Sequence, residues 1–267
     1  MLEIQWVISF LVLGGFVGFL AGLLGIGGGG LMVPVLSALF LWQGITTEHV
    51  VHLALGTSMA SIIITSLSSI MAHHAKKAVL WDIVKSMVPG IIIGTFAATF
   101  LVAYMSSLYL ALFFSLFMAI VSLQMFINKQ PKPSRQIAGK AGLIIAGSTI
   151  GAISALVSIG GGSMTVPYLT WQNINIKKAI GTSAAIGLPI SIAGTFGYVL
   201  NGWGIDTGLD YTYGFVYLPA VILISMTSFI TAPYGAHLAH KMNVSALKKM
   251  FALLLIILSL KMLASVL

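Results

Sequence analysis

Residues 25–34 read GIGGGGLMVP and residues 158–167 read SIGGGSMTVP, and these two runs decide how the rest of the chain folds. Ahead of the first lies a stretch without charge from Ile4 onward; behind it an apolar arm, residues 31–42, ends at Trp42. As one helix, residues 4–42 would be roughly 58 Å long, about twice the thickness of a bilayer's hydrocarbon core. The chain must turn back, and the turn falls at Gly27, Gly28, Gly29 and Gly30, because glycine tolerates positive φ and lets backbones approach closely. The second half turns at Gly160, Gly161 and Gly162. The returning arms, residues 31–42 and 164–171, are too short to span as helices, so each tip is expected within the membrane and the two to meet near its midplane. The longer arm, residues 4–24, fits either a strong tilt or a complete crossing.

Other landmarks recur in the same order. ALGTSMA at residues 54–60 is answered by AIGTSAA at 179–185, Pro89 by Pro219, and SLQM from Ser122 by SLKM from Ser259. Four matches in one order indicate duplication. Hydrophobic residues make up 58% of the chain and charged ones 7%, and the mean hydropathy is +1.06, so no soluble domain accompanies the membrane part. Span-length segments fall at residues 50–71, 83–104 and 108–127, then at 179–200, 213–232 and 247–263. The expected division is a first membrane repeat, residues 1–127, a basic linker, 128–140, and a second repeat, 141–267.

Loop charge orients these segments, since Lys and Arg in short loops mark the cytoplasmic side. Twelve of the thirteen basic residues fall in four segments: Lys76, Lys77 and Lys85; Lys129, Lys132, Arg135 and Lys140; Lys177 and Lys178; Lys241, Lys248 and Lys249. Glu3, Glu48, Asp206 and Asp210 lie in segments that carry no Lys or Arg and are expected outside, with both termini; Lys261 snorkels near the outer end of its helix. The loop after the first GTS helix is basic and the loop after the second is acidic, so the two halves are expected in opposite orientations. The fold class is therefore an all-α polytopic membrane protein of two inverted-topology repeats. Each repeat is a glycine-tipped, broken or re-entrant hairpin plus three transmembrane helices.

Non-helical backbone at mid-membrane depth survives where protein buries it or where it lines a cavity. If the short arms begin at the glycines, their free N–H groups and positive dipole ends aim at the tips and attract an anion. Discontinuous helices at the midplane of inverted repeats are a recurrent transporter design. The expected substrate contacts are Gly27, Gly28, Gly29, Gly30, Gly160, Gly161 and Gly162, with Pro34 and Pro167 in the arms. Thr57, Ser58, Thr182 and Ser183 sit where hydroxyls can donate to an oxyanion, although hydroxyls in membrane helices often bond their own backbone instead. Ser163, opposite Gly30 in the alignment of halves, adds an asymmetric contact. For Gly18 and Gly22 close helix packing is the better explanation. His73, His74, His237 and His240 are assigned to solvated basic loops, and His49 and His52 to the outer entrance.

The paired GIGGGGLMVP and SIGGGSMTVP, each followed by GTS, resemble the sulfite exporter TauE/SafE family of membrane permeases over essentially the whole chain. The resemblance implies a multi-pass protein of the bacterial plasma membrane that transports sulfite, organosulfonates or related sulfur-containing organic anions, with the glycine turns, Pro34, Pro167 and the GTS segments as lining. No Asp or Glu falls within a span to relay protons, and the potential favours anion exit by about 2.3 kcal/mol per charge per 100 mV, so export by alternating access is expected. Ion-coupled import and an anion channel are the alternatives. Without a cysteine or a buried acid there is no nucleophile–base pair for an intramembrane enzyme. No cofactor, metal site or nucleic-acid partner is indicated; the expected partners are the small anion and membrane lipid, and a homo-oligomer is compatible with the sequence.

Overall fold

The computed structural model describes residues 3–24, 28–127, 136–241 and 245–267. Among these residues the chain is all-α, with ten helices and one two-residue antiparallel pairing. In order they are α1 (Ile4–Leu24), α2 (Gly29–Trp42), α3 (Val50–Ala75), α4 (Trp81–Tyr104), α5 (Ser107–Ile127), α6 (Lys140–Val157), α7 (Gly162–Trp171), α8 (Ile176–Asn201), β1 (Thr212–Tyr213), β2 (Val216–Tyr217), α9 (Leu218–Lys241) and α10 (Ser245–Ala264). Seven of them, α1, α3, α4, α5, α6, α8 and α9, are long and apolar enough to cross a bilayer, so this is a multi-pass membrane protein. At about 1.5 Å per residue, α2 and α7 reach only about 21 and 15 Å.

The long arm α1 is one continuous helix of 21 residues, about the length of a full crossing. Beyond the tip, α2 runs back beside α1, its Leu31, Val35 and Leu39 sharing a groove with Ile8, Val12 and Phe16; it packs chiefly on α3 and α10, and α1 chiefly on α9. The segment expected to span at residues 213–232 starts later: Tyr213 pairs with Val216 around Gly214 at φ 56°, and the helix begins only at Leu218. Aromatic and β-branched residues there favour extended backbone, and the positive-φ glycine makes the turn.

Glycines set the helix contacts. A Cβ on Gly18 would lie 2.4 Å from Ser228 Cα and one on Gly22 1.9 Å from Ala232 O, so α1 and α9 touch backbone to backbone, as expected for this pair. Gly90 and Gly94 of α4 meet Ile144 O and Ser148 O of α6 in the same way, at 2.0 and 2.1 Å. The first helix of each half thus packs on the helix that follows the GTS helix of the other half. Between these pairs lie α3 and α8, packed against each other and the most thoroughly buried of the spans.

Candidate functional site

The two tips have the same backbone. Gly28, at φ 77° and ψ −8°, precedes α2, and Gly161, at φ 74° and ψ −10°, precedes α7. Both are left-handed positions where a side chain is strained, and neither helix start has a side-chain cap. As at any helix start, the first-turn N–H groups of Gly29, Gly30, Gly162 and Ser163 have no intrahelical acceptor. The glycine runs are not wholly turn: Gly29 and Gly30 already belong to α2, and Gly162 and Ser163 to α7, while Gly27 lies outside the described residues.

These tips touch. A Cβ on Gly29 would fall 1.5 Å from Ser158 O and 3.2 Å from Ile62 Cδ1, so the first tip lies directly on the backbone entering the second. Ile62 is midway along α3, and on the other side Gly187, midway along α8, approaches Gly160 O at 3.1 Å from its would-be Cβ. The contact therefore sits at the middle of two helices of spanning length. Ser158, itself left-handed at φ 48°, donates its hydroxyl to Leu55 O at 3.0 Å and pins the second tip to α3.

Beside the contact is a small cavity with room for about one water, lined by Ala21, Thr65, Ser66, Ser69, Gly160, Ala184 and Gly187. Its polar wall belongs to α3, on which Ser58, Ser61, Thr65 and Ser69 recur every three or four residues along one face. Thr65 Oγ1 lies 2.8 Å from Ser228 Oγ and donates to Ser61 O at 3.1 Å, whereas Ser58 Oγ and Ser69 Oγ are buried without a partner among the described residues. Thr65, Ser66, Ser69 and Gly187 were not among the sequence candidates. The signal for them was a periodic hydroxyl stripe in an otherwise apolar span, of which only the GTS end was singled out.

Of the predicted lining residues, the structure brings Gly160 to this cavity. Gly28 packs against Val17, and Gly30 faces Met118 and Leu255, apolar side chains of α5 and α10. Pro34 and Pro167 are each the sixth residue of their short helix, so Gly30 O and Ser163 O lack their usual i+4 donors. Pro34 also borders a groove beside α10 that includes Lys261. Ser163 is half-buried, and Ser183 donates to Ile180 O of its own helix.

The GTS segments do something the sequence did not disclose. A Cβ on Gly56 would lie 2.1 Å from Phe215 O, and Thr57 Oγ1 accepts the N–H of Tyr217 at 3.0 Å, just ahead of α9. In the other half a Cβ on Gly181 would lie 2.6 Å from Ala78 O, and Thr182 Oγ1 accepts the N–H of Leu80 at 3.0 Å, just ahead of α4. Each glycine admits a chain from the opposite half, and each threonine holds that chain two residues further on. Both threonine hydroxyls are buried in these ties.

The histidines divide differently from expectation. His73 is wholly buried, with Nε2 3.3 Å from Gly22 O, because α3 continues past the expected span end and carries it against α1. His74 and His237 are exposed, in line with a solvated position; the side chain of His240 lies outside the described residues. His52 is buried, its Nε2 donating to Val102 O at 3.1 Å, with its ring 5.0 Å from that of Phe215. Asp82, exposed in the first turn of α4, is the only acid within the described span-length helices.

Comparison with known proteins agrees with a membrane transporter. The family model described as "Sulfite exporter TauE/SafE" matches residues 10–262. A probable membrane transporter protein of Haemophilus influenzae is 36% identical over 258 residues, covering 96% of this chain and 98% of its own. One of Methanocaldococcus jannaschii is 27% identical over 98% of this chain and 97% of its own, and another of Xylella fastidiosa is 29% identical over 74% of each. No solved structure matches the chain significantly. With the match spanning nearly its whole length, the chain belongs to the sulfite exporter TauE/SafE family of membrane proteins, which are transporters and not enzymes.

Proposed function

We propose that the protein exports a small anion, namely sulfite, an organosulfonate or a related sulfur-containing organic anion, by alternating access around the meeting point of the two glycine tips. The observation that carries this reading is the contact of Gly29 with Ser158, which lays the start of α2 on the backbone that leads into α7, midway along α3 and α8. First-turn N–H groups with a positive dipole end stabilise an oxyanion without a buried cation. The hydroxyls of Ser66 and Ser69 supply donors on the adjoining wall.

The halves, residues 1–127 and 141–267, act as inverted repeats, with the linker 128–140 cytoplasmic and both termini outside in the bacterial plasma membrane. The distribution of Lys and Arg supports this orientation. A cavity that holds about one water is too small for a sulfur oxyanion, so loading requires α3 and α8 to part at the tips. The glycine seams between α1 and α9 and between α4 and α6 bind each outer pair into a unit that can move as a body. With no acid inside the spans beyond Asp82 at an exposed end, export driven by the membrane potential is preferred to proton coupling.

The test is counterflow in proteoliposomes loaded with unlabelled sulfite, thiosulfate, taurine or sulfoacetate. A carrier transiently accumulates labelled anion inside above its outside concentration, driven by the outward gradient of unlabelled anion; a channel gives simple equilibration. Absence of flux for every anion, or uptake against a gradient that collapses without sodium or a proton gradient, refutes potential-driven export.

A further inference from the structure

Away from the glycine tips, at the end of the molecule where α1 begins and α2 ends, lies an open pocket of about 670 Å³. Its charged lining is Glu3 and Asp210, with no Lys or Arg, so it repels the anions that the tips would attract. Its other walls include Trp6, Trp42 and Tyr217, and Gln43 caps α2 beside them. Both amide atoms of Gln43 are buried and have no partner among the described residues. Burial, and after it the neighbouring Asp210 charge, pushes the Tyr217 phenol above its ordinary value.

We propose that this pocket binds an ammonium group, primary or quaternary, carried by a free small amine or by a lipid headgroup. Carboxylates and the faces of Trp and Tyr rings attract such a cation together, and the Gln43 oxygen supplies an acceptor for a primary ammonium. A hard metal ion fits less well: it requires about six oxygen ligands, and no cluster of three or more acidic or histidine ligands occurs among the described residues. Glu3 is already held by the side-chain amide of Gln5, which fixes one carboxylate at the rim. Trp42, 71% exposed, leaves a large ring open to whatever enters. The pocket shares no residue with the cavity at the tips, so this inference stands independently of the proposed anion site.

The experiment is equilibrium binding of radiolabelled choline to the full chain in phosphatidylglycerol nanodiscs. The expected result is saturable binding that ethanolamine competes away and the neutral isostere 3,3-dimethylbutanol does not. Asp210→Asn, at an exposed position, is expected to weaken binding at least tenfold with an unchanged melting temperature, and Glu3→Gln to act in the same direction. Repeating the titration in phosphatidylethanolamine nanodiscs separates the sources: loss of choline binding identifies the headgroup as occupant, and retained binding a soluble amine. No saturable binding in phosphatidylglycerol, equal competition by the neutral isostere, or wild-type affinity in Asp210→Asn overturns the proposal.

Discussion

At Gly56 and Gly181 a side chain has nowhere to go, because the carbonyls of Phe215 and Ala78 occupy the space. Backbone cannot step aside as a flexible side chain can, so Gly56→Ala and Gly181→Ala are each expected to destabilise by about 1–3 kcal/mol. Gly15→Ala, whose added Cβ would meet the Thr227 and Thr231 side chains only at 4.0 Å, is the neutral control in a thermal unfolding series. Thr57→Val removes the acceptor for the Tyr217 N–H and is expected to lower stability by about 1–3 kcal/mol, whereas Thr57→Ser retains the bond and most of the stability. Equal melting temperatures for Thr57→Val and Thr57→Ser would show that the tie contributes nothing. At this scale the sequence was half legible. Gly28 and Gly161 could be placed at a turn because consecutive glycines before a short arm leave few other readings. The partners of Thr57 and Thr182 lie 160 and 102 residues away, and no local pattern encodes them.

At the scale of the helix, hydrophobic length located α3, α4, α5 and α8, because membrane depth fixes the number of apolar residues required; α1 was left between a tilt and a crossing, and α6 was given no span of its own. It failed where polarity was not the deciding term. The start of α9 was placed too early because Tyr213, Phe215, Val216 and Tyr217 are as apolar as a span but form a hairpin that delivers the Tyr217 N–H to Thr57. His73 was assigned to solvent because charge follows it in sequence, yet one more turn of α3 buries it. The hydroxyl stripe of α3 carries the element-scale prediction. Ser69 Oγ is buried without a partner among the described residues, so its removal leaves none of their groups unsatisfied and is expected to be neutral or slightly stabilising. Ser69→Ala should therefore keep its melting temperature and reduce anion flux. A variant that loses both equally would reduce the stripe to a packing feature.

For the whole molecule, the packing is reciprocal: α1 lies on α9 as α6 lies on α4, and each GTS threonine holds a chain of the other half. Neither half can complete its helix contacts alone, so the described halves interlock instead of sitting side by side. The paired motifs were visible in the sequence; this exchange of partners was not, because it depends on contacts between segments more than a hundred residues apart. Orientation is directly testable because the chain has no cysteine. An impermeant maleimide applied to intact cells is expected to label Asp206→Cys and to spare Gly139→Cys until the cells are opened. Labelling of Gly139→Cys from outside would reverse the topology.

The central claim is that an anion binds where the glycine tips meet. Its most direct test is thermal stabilisation of the purified protein by sulfite, sulfate, thiosulfate, taurine, sulfoacetate and carboxylates, run beside Gly161→Ala and the Ser66→Ala, Ser69→Ala double variant. A ligand that binds only the folded protein raises its apparent stability by about 2.7 kcal/mol at a hundred times its Kd. The account predicts selective stabilisation by one sulfur-containing anion, lost in both variants. Stabilisation by no anion, or stabilisation that survives unchanged in both variants, would contradict it.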